Sequence, residues 1–240
     1  MDETSGADRF GPLRLLALAI ARTGRLALLA GGRSRWHTNA GYTFVPLELP
    51  GCVQEPGTLP HTTADGLGRR TLGRAARLIA SRQLYGPSEV HRIDRLPTQL
   101  GDEPLPLLRL EREAPLHVAA TPTLRRVIVT VYRARLIGPP ALTEAAGGGD
   151  VDDGASGLLW LAPDALRLAM RGMPFAELLA QPAVEWLPAT ARAAALPDDA
   201  LVYVPAEYGE RHLLRLVAKY GPEALFQDDD AGWEEPQAEG

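Results

Sequence analysis

The residues best suited to chemistry are arginines crowded into one segment. Arg69, Arg70, Arg74 and Arg77 lie within LGRRTLGRAARLIASRQL (67–84), where Leu67, Thr71, Leu72, Ala75, Leu78 and Ile79 recur at three- and four-residue spacing. That spacing predicts a helix over 67–84 with the guanidinium groups off its apolar face. A guanidinium makes paired, charge-assisted hydrogen bonds to phosphate or carboxylate, so this face is a candidate anion site. The alternative is a solvated, internally paired surface in an arginine-rich chain, in which Lys219 is the single lysine among 25 basic residues. Upstream, Glu55 falls in PGCVQEPGTLPHTTADG (50–66), whose Pro, Gly and Thr content reads as one long loop. Glu55 has two readings: a residual metal ligand or base, or the partner of Arg70 that holds the loop.

Other reactive groups are scattered. Cys52 has no visible base to make it a nucleophile. As the only cysteine, it excludes an intrachain disulfide framework and a multi-cysteine zinc site. His37, His61, His91, His117 and His212 show no paired metal spacing. Asp150, Asp152 and Asp153 lie in a Gly-rich stretch (138–157) that reads as a solvent loop, and Glu111 and Glu113 share one face of any strand. Trp36, Tyr42 and Phe44 are a candidate base-stacking set, with strand core as the alternative. A phosphate-cradling Gly-rich loop ending in Lys-Ser/Thr is absent, as is a Gly-x-Ser-x-Gly elbow.

Composition bounds the rest. The chain has 240 residues, 45% apolar and 23% charged, enough for a globular domain with a sizeable core. The formal charge of −5 is local, because Asp228, Asp229, Asp230, Glu234, Glu235 and Glu239 fall in a C-terminal stretch without a basic residue. The remainder is close to neutral, so nucleic acid is not an expected partner. The most apolar stretch, Leu13 to Ala30, is broken by Arg14, Arg22, Thr23-Gly24 and Arg25, which suits neither a spanning helix nor a signal segment. No membrane partner and a cytoplasmic location are therefore expected.

The elements that must position these residues follow from patterning. RLLALAIA (14–21) and RLALLAG (25–31) flank Thr23-Gly24 and read as a β-hairpin. YTFVPLEL (42–49) is strand-like until Pro50-Gly51. Short candidate strands lie near 90–93 and 105–110, and RRVIVTVYRARL (125–136) is the clearest strand. LLWLAP (158–163) is a strand leading into a helix over 164–172 that stops at Gly172. A short helix follows within 174–195, then a strand at 201–204 and a helix over 209–221.

In this order, LPGCVQEPGT (49–58) followed by LGRRTLGRAARL (67–78) resembles the Nudix hydrolase signature, a Leu-Pro-Gly-Gly loop leading through Glu-Pro-Gly-Glu into a glutamate-bearing helix. Trp36 after the hairpin, the long strand 125–136 and the segment 157–180 extend the resemblance over roughly residues 12–180. It implies an α/β (α+β) fold, a Nudix-like α/β/α sandwich with a central mixed β-sheet and a C-terminal helical extension. The implied organisation is a flexible N-terminus (1–11), a Nudix-like domain (12–190), a helical extension (191–226) and an acidic disordered tail (227–240).

The departures from the signature bear on function. Nudix glutamates hold divalent metals, usually magnesium, which polarise a diphosphate and activate water. Here Gly51, Glu55, Pro56 and Gly57 match the loop, while Cys52 replaces its second Gly and Thr58 its later Glu. Arg70 matches the motif arginine and Leu72 and Leu78 the apolar positions. Thr71 stands for the first helix Glu, Arg74 and Ala75 for the Glu pair and Arg77 for the Gly, with the stretch from Thr58 to Arg70 about one helical turn longer than the family spacing. Such a helix repels a cation. The reading is a Nudix-family protein, descended from nucleoside-diphosphate-linked pyrophosphohydrolases, that lacks standard metal-dependent hydrolysis. It binds a nucleotide or phosphate-containing ligand through Arg70, Arg74, Gly51, Glu55 and Trp36, with no cofactor and no metal.

The alternatives are an active hydrolase and a non-enzymatic interaction module using the C-terminal segment. The hydrolase would need Mg²⁺ held by Glu55 with Asp65, Glu111, Glu113 or Asp152. Family analogy adds a homodimer.

Overall fold

The computed structural model describes residues 12–32, 36–79, 83–84, 93–94, 99–100, 103–118, 121–142, 155–189, 196–197, 199–205, 210–222 and 233–234. In chain order the elements begin with β1 (Leu13–Ala19), β2 (Ala21–Arg22), β3 (Arg25–Ala30), β4 (His37–Asn39), β5 (Tyr42–Glu48), β6 (Gly51–Val53) and α1 (Pro60–Leu72). Next come β7 (Ala76–Ile79), β8 (Gln83–Leu84), β9 (Ile93–Asp94), β10 (Gln99–Leu100), β11 (Glu103–Pro104), β12 (Leu108–Val118) and β13 (Thr121–Ile137). The chain continues with β14 (Gly157–Leu161), α2 (Pro163–Ala169), β15 (Met173–Pro174), α3 (Phe175–Leu179), β16 (Val184–Pro188), β17 (Leu201–Tyr203), α4 (Glu210–Tyr220) and β18 (Trp233–Glu234).

Two mixed sheets carry the fold. One runs β6-β1-β13-β12-β8-β9 with β7 and β18 also on β13, and the other runs β15-β17-β5-β3-β14-β16 with β2 on β3 and β4 on β5. β1 is parallel to β13, Leu13 opposite Val127 through Ala19 opposite Arg133, while β12 and β7 are antiparallel to it. Both faces of these sheets are covered. Leu16, Leu18, Ala27, Leu158 and Trp160 pack with Leu67 and Leu72 of α1. The alternate residues Ala17, Leu28, Val129 and Leu159 pack with Leu166 of α2, Leu178 of α3 and Leu213 and Val217 of α4. This is the expected α/β/α sandwich. Burial on both faces explains why β1 and β3 read as unbroken apolar runs rather than alternating ones.

Several elements differ from the sequence expectations. The hairpin at Thr23-Gly24 is real but short: only Ala21–Arg22 pairs with β3, and β1 crosses to the other sheet to pair with β13 and β6. The Ala-rich segment after α3 contains a strand, β16, paired along β14. The segment expected as a helical extension joins the same core, with β17 parallel to β5 and α4 against α2. Of the acidic tail, Trp233–Glu234 is described and pairs parallel to Leu136–Ile137. The loop carrying Asp150, Asp152 and Asp153, and His91, lie outside the described residues.

The largest correction concerns the arginine-rich helix. It spans 60–72, not 67–84. Pro60 suits a first helical turn, and Ala64, Leu67 and Leu72 bury one stripe, which overrides the poor helix propensity of Thr62, Thr63, Gly66 and Gly68. Gly73 ends it in the left-handed region at φ 63°, and the Gly73 and Arg74 amides turn back to the Gly68 carbonyl. Ala76–Ile79 then pairs with β13, burying Ala76 and Leu78 on one face and exposing Arg77 on the other. Over so short a run, that period-two pattern mimics a helical one.

Gly68 is where α1 meets β7: a Cβ there would lie 2.5 Å from the Arg74 carbonyl and 2.7 Å from the Ala76 Cβ. Gly66, one residue from the same stripe, has open space around its Cα. Gly68→Ala should therefore destabilise the protein by about 1–3 kcal/mol through overpacking. Gly66→Ala should stabilise it by about 0.5–1 kcal/mol through helix propensity. Chemical denaturation of both variants checks the opposite signs.

A second prediction concerns α4. The Nε2 atom of His212 is buried without a partner among the described residues, and burial followed by the Arg215 charge lowers its pKa from the usual histidine value. The unfolded chain thus takes up a proton near pH ~6.5 while the folded one still resists it. Stability should fall as pH drops below about 6.5 and level off once the folded pKa is passed. His212→Asn should flatten this dependence in denaturation midpoints measured between neutral and acidic pH.

Candidate functional site

The loop that resembles the family signature is braced by its own backbone. β6 pairs antiparallel with β1, placing Gly51, Cys52 and Val53 opposite Ala17, Leu16 and Leu15. Pro56-Gly57 then makes a tight turn, with Gly57 at φ 80° and the Thr58 amide donating to the Glu55 carbonyl at 3.2 Å. The Thr58 hydroxyl donates to the same carbonyl at 2.7 Å, and Gln54 Nε2 donates to the Thr58 carbonyl at 3.0 Å. This turn delivers the chain to Leu59 and the start of α1. It does not use the Glu55 carboxylate.

A cleft of about 540 Å³ opens where this loop meets β1, β3, β5 and the end of α1. Leu13, Leu15, Leu29, Leu49, Val53 and Val129 are among its walls, and among the described residues its polar side chains are Glu48, Cys52 and Thr71. Glu48 is the residue that the sequence analysis passed over. Its signal was present: alternation in β5 points Val45 and Leu47 into the α2–α4 core and leaves Glu48 on the other face, opposite Leu29. Glu48 has a partner of its own within the chain.

The expected site residues separate on this frame. Gly51 lines the cleft, where a Cβ would meet the Leu16 carbonyl at 3.3 Å. Arg70 is exposed, one residue before Thr71 in the wall, and its Nε donates to the Gly66 carbonyl at 3.3 Å. Glu55 is exposed on the facing loop. Both charges bear on the thiol of Cys52, which lines the cleft. They form no ion pair, and neither side chain has a salt-bridge partner among the described residues.

Arg74 is not on the helix and not in the cleft wall. Its Nε donates to the Pro139 carbonyl at 2.9 Å and its Nη1 to the Gly73 carbonyl at 3.0 Å, fastening the segment after β13 to the end of α1. Arg69 pairs with Asp65 one turn earlier at 2.8 Å, and Arg77 lies on β7. Trp36 donates its indole N–H to the Gly31 carbonyl at 2.7 Å and packs against the α2–α4 core. Phe44 stacks on His37 at 4.9 Å, with Tyr203 edge-on to both rings. Neither Trp36, Tyr42 nor Phe44 lines the cleft among the described residues.

The end of the helix also resets the motif. With Gly73 as the terminal glycine, the extra turn between loop and helix vanishes and each position moves back by one turn. The motif arginine then falls on Gly66, the first glutamate on buried Leu67, and the glutamate pair on Arg70 and Thr71. An alkyl, a guanidinium and a hydroxyl do not suit a hard divalent cation, which takes carboxylate and carbonyl oxygens. Asp65 is tied to Arg69, and Glu111 to Arg126 across the β12–β13 ladder. Among the described residues no three His, Cys, Asp or Glu side chains gather around one point. No helix of the described residues is long and apolar enough to cross a membrane.

No protein-family model matches the sequence, and no curated protein matches it significantly. Among solved structures, the chain is similar to a Nudix hydrolase from Nitrosomonas europaea at 11% identity and a TM-score of 0.37, over 65% of this chain and 76% of that one. It is also similar to a MutT Nudix hydrolase from Burkholderia pseudomallei at 17% identity and a TM-score of 0.35, over 65% and 86% of the two chains. A Nudix-family hydrolase from Clostridium perfringens gives 12% identity and a TM-score of 0.36, over 66% and 87%.

Cys52 reports on this arrangement. Burial pushes its thiol pKa up; the Arg70 charge works against that, and the Glu55 charge adds to it. Alkylation proceeds through the thiolate. Arg70→Ala should therefore slow alkylation of Cys52 at fixed pH, and Glu55→Gln should speed it. The pH dependence of thiol labelling, followed by mass spectrometry, measures both signs.

Proposed function

We propose that this chain is a Nudix-family protein, descended from nucleoside-diphosphate-linked pyrophosphohydrolases, that binds a phosphate-bearing ligand without standard metal-dependent hydrolysis. The observation that carries this reading is the end of α1, where Arg70 and Thr71 stand at the positions that the motif gives to metal-binding glutamates. Arg70 is exposed next to Thr71 in the wall of a cleft large enough for a small molecule, and among the described residues only its Nε is engaged, by one long hydrogen bond to a carbonyl. A guanidinium in that position binds phosphate oxygens directly, in place of a metal bridge. Glu55, facing it, opposes an anion. Gly51 shapes the cleft, while Arg74 and Trp36 support it from outside.

Two carboxylates near the cleft, Glu48 and Glu55, give the active-hydrolase alternative its best donors. They make opposite predictions for the two readings. Calorimetric titration with nucleoside diphosphates and inorganic diphosphate, with and without Mg²⁺ or Mn²⁺, should show metal-independent binding with the ligand intact. Arg70→Glu should weaken that binding roughly tenfold or more, the loss expected when one charge-assisted contact is reversed. Glu55→Gln should tighten it by removing a repelling charge. Metal-dependent release of phosphate or mononucleotide, abolished in Glu55→Gln or Glu48→Gln, would instead establish an enzyme with relocated metal ligands.

A further inference from the structure

The end of β13 gathers charge of one sign. Val127, Val129 and Val131 face the α2–α4 core, and by the alternation of a strand Arg133 and Arg135 follow them on the same face. β7 adds the exposed Arg77, directly opposite Arg135 in the antiparallel ladder. Like charges set opposite each other destabilise a strand pair. Arg133 is 7% exposed, and among the described residues it is the one charged side chain that is buried. A buried guanidinium is stable only where its charge is met by partners. Arg77, Arg133 and Arg135 each have a partner within the chain.

A strand position opens beside this cluster. β1 runs parallel to β13 as far as Ala19 opposite Arg133, and there it ends. β7 holds the other edge of β13 up to Ala76 opposite Leu136. β18 therefore takes the edge that β1 leaves, again parallel, with Trp233 opposite Leu136 and Glu234 opposite Ile137. Residues opposite each other in a ladder share a face, so Glu234 has its register position on the face of Arg133 and Arg135. Two residues of backbone pairing do not offset the entropy of ordering a chain end. A further attraction is needed, and Asp228, Asp229, Asp230, Glu235 and Glu239 flank this strand in a stretch without a basic residue.

We propose that the edge of β13 at 134–137, with Arg77, Arg133 and Arg135, is a strand-addition site for an acidic extended segment, and that its occupant is the chain's own segment 228–235. Backbone pairing sets the register, and the carboxylates supply the charge that the arginines require. The tether from the end of α4 at Tyr220 to Trp233 is short, which gives the segment a local concentration on the order of millimolar. Held in this way, the segment also keeps the edge from pairing with other chains. The inference does not rest on the role proposed for Arg70.

The test uses the full chain. Amide hydrogen exchange in 134–137 and 232–235 should be slow at about 0.05 M salt and roughly tenfold or more faster at about 1 M, where screening removes the attraction, while exchange in 127–131 stays unchanged. A chain carrying Asp228→Asn, Asp229→Asn, Asp230→Asn, Glu234→Gln and Glu235→Gln should show the fast exchange already at low salt. A synthetic peptide of residues 226–240, added to this neutralised chain, should bind and restore the protection of 134–137. It should bind the wild-type chain at least tenfold more weakly, because there the edge is filled. Arg77→Gln, at an exposed position, should weaken the peptide's binding to the neutralised chain roughly tenfold.

Protection of 232–235 that is indifferent to salt and to neutralisation would overturn the role of charge, and with it the proposed site. Fast exchange there under every condition would do the same. A neutralised chain that does not bind the peptide would overturn strand addition. Equal binding of the peptide by the wild-type and neutralised chains would show that the C-terminal segment is not the occupant.

Discussion

The constraint on which the site depends is the close approach of α1 to β7 at Gly68. The helix must stop one turn later, because the chain has to reverse within Gly73–Ala75 to enter β7 beside β13. A left-handed glycine makes the reversal without strain. The amides of Gly73 and Arg74 then find an acceptor in the Gly68 carbonyl. Arg74, just past the turn, holds Pro139 and Gly73 through their carbonyls, while the Ala141 amide reaches the Leu72 carbonyl. The last turn of α1 is thereby fixed against two strands. Arg70 and Thr71 sit on that turn, and Thr71 lines the cleft.

The second layer of support is the double burial of the strands. β1 sends Leu16 and Leu18 towards α1 and Ala17 and Ala19 towards the opposite core, so it holds loop 51–57 on one edge while remaining in register with β13 on the other. Small residues alternate with large ones along this strand, as a strand buried on both faces needs when one face is more crowded. Trp186 lies against Gly157 in the same manner: a Cβ at Gly157 would fall 1.9 Å from the indole ring. The cleft is therefore a property of packed strand ends, and only its rim is contributed by a loop.

This explains which parts were legible in the sequence. The long strand at 125–136, the strand-to-helix passage at 158–172 and the order of the signature elements are local patterns, and the structure contains them. The helix boundary was not legible, because tertiary contacts outweighed propensity on both sides of it. Thr62, Thr63, Gly66 and Gly68 look like loop yet lie in α1, since Ala64, Leu67 and Leu72 find a core. Ala76 to Ile79 looks helical yet is a strand, since β13 offers an unpaired edge. The misplaced boundary carried the site residues with it. Arg74, expected on the helix, lies past its end and donates to two backbone carbonyls, while Glu48, a charge inside an otherwise apolar strand, is in the cleft wall.

In chemical terms a guanidinium is no stand-in for a metal held by carboxylates. A divalent cation brings two charges, binds substrate oxygens in a fixed geometry and acidifies a bound water enough to make it a nucleophile. Arginine brings one charge, stays protonated at every physiological pH and activates no water. It can hold a phosphate but supplies neither the nucleophile nor the concentrated charge that diphosphate cleavage requires. Because Arg70 is exposed, solvent screens its attraction for an anion, and Glu55 on the facing loop subtracts from it. A site of this kind gains little from charge alone.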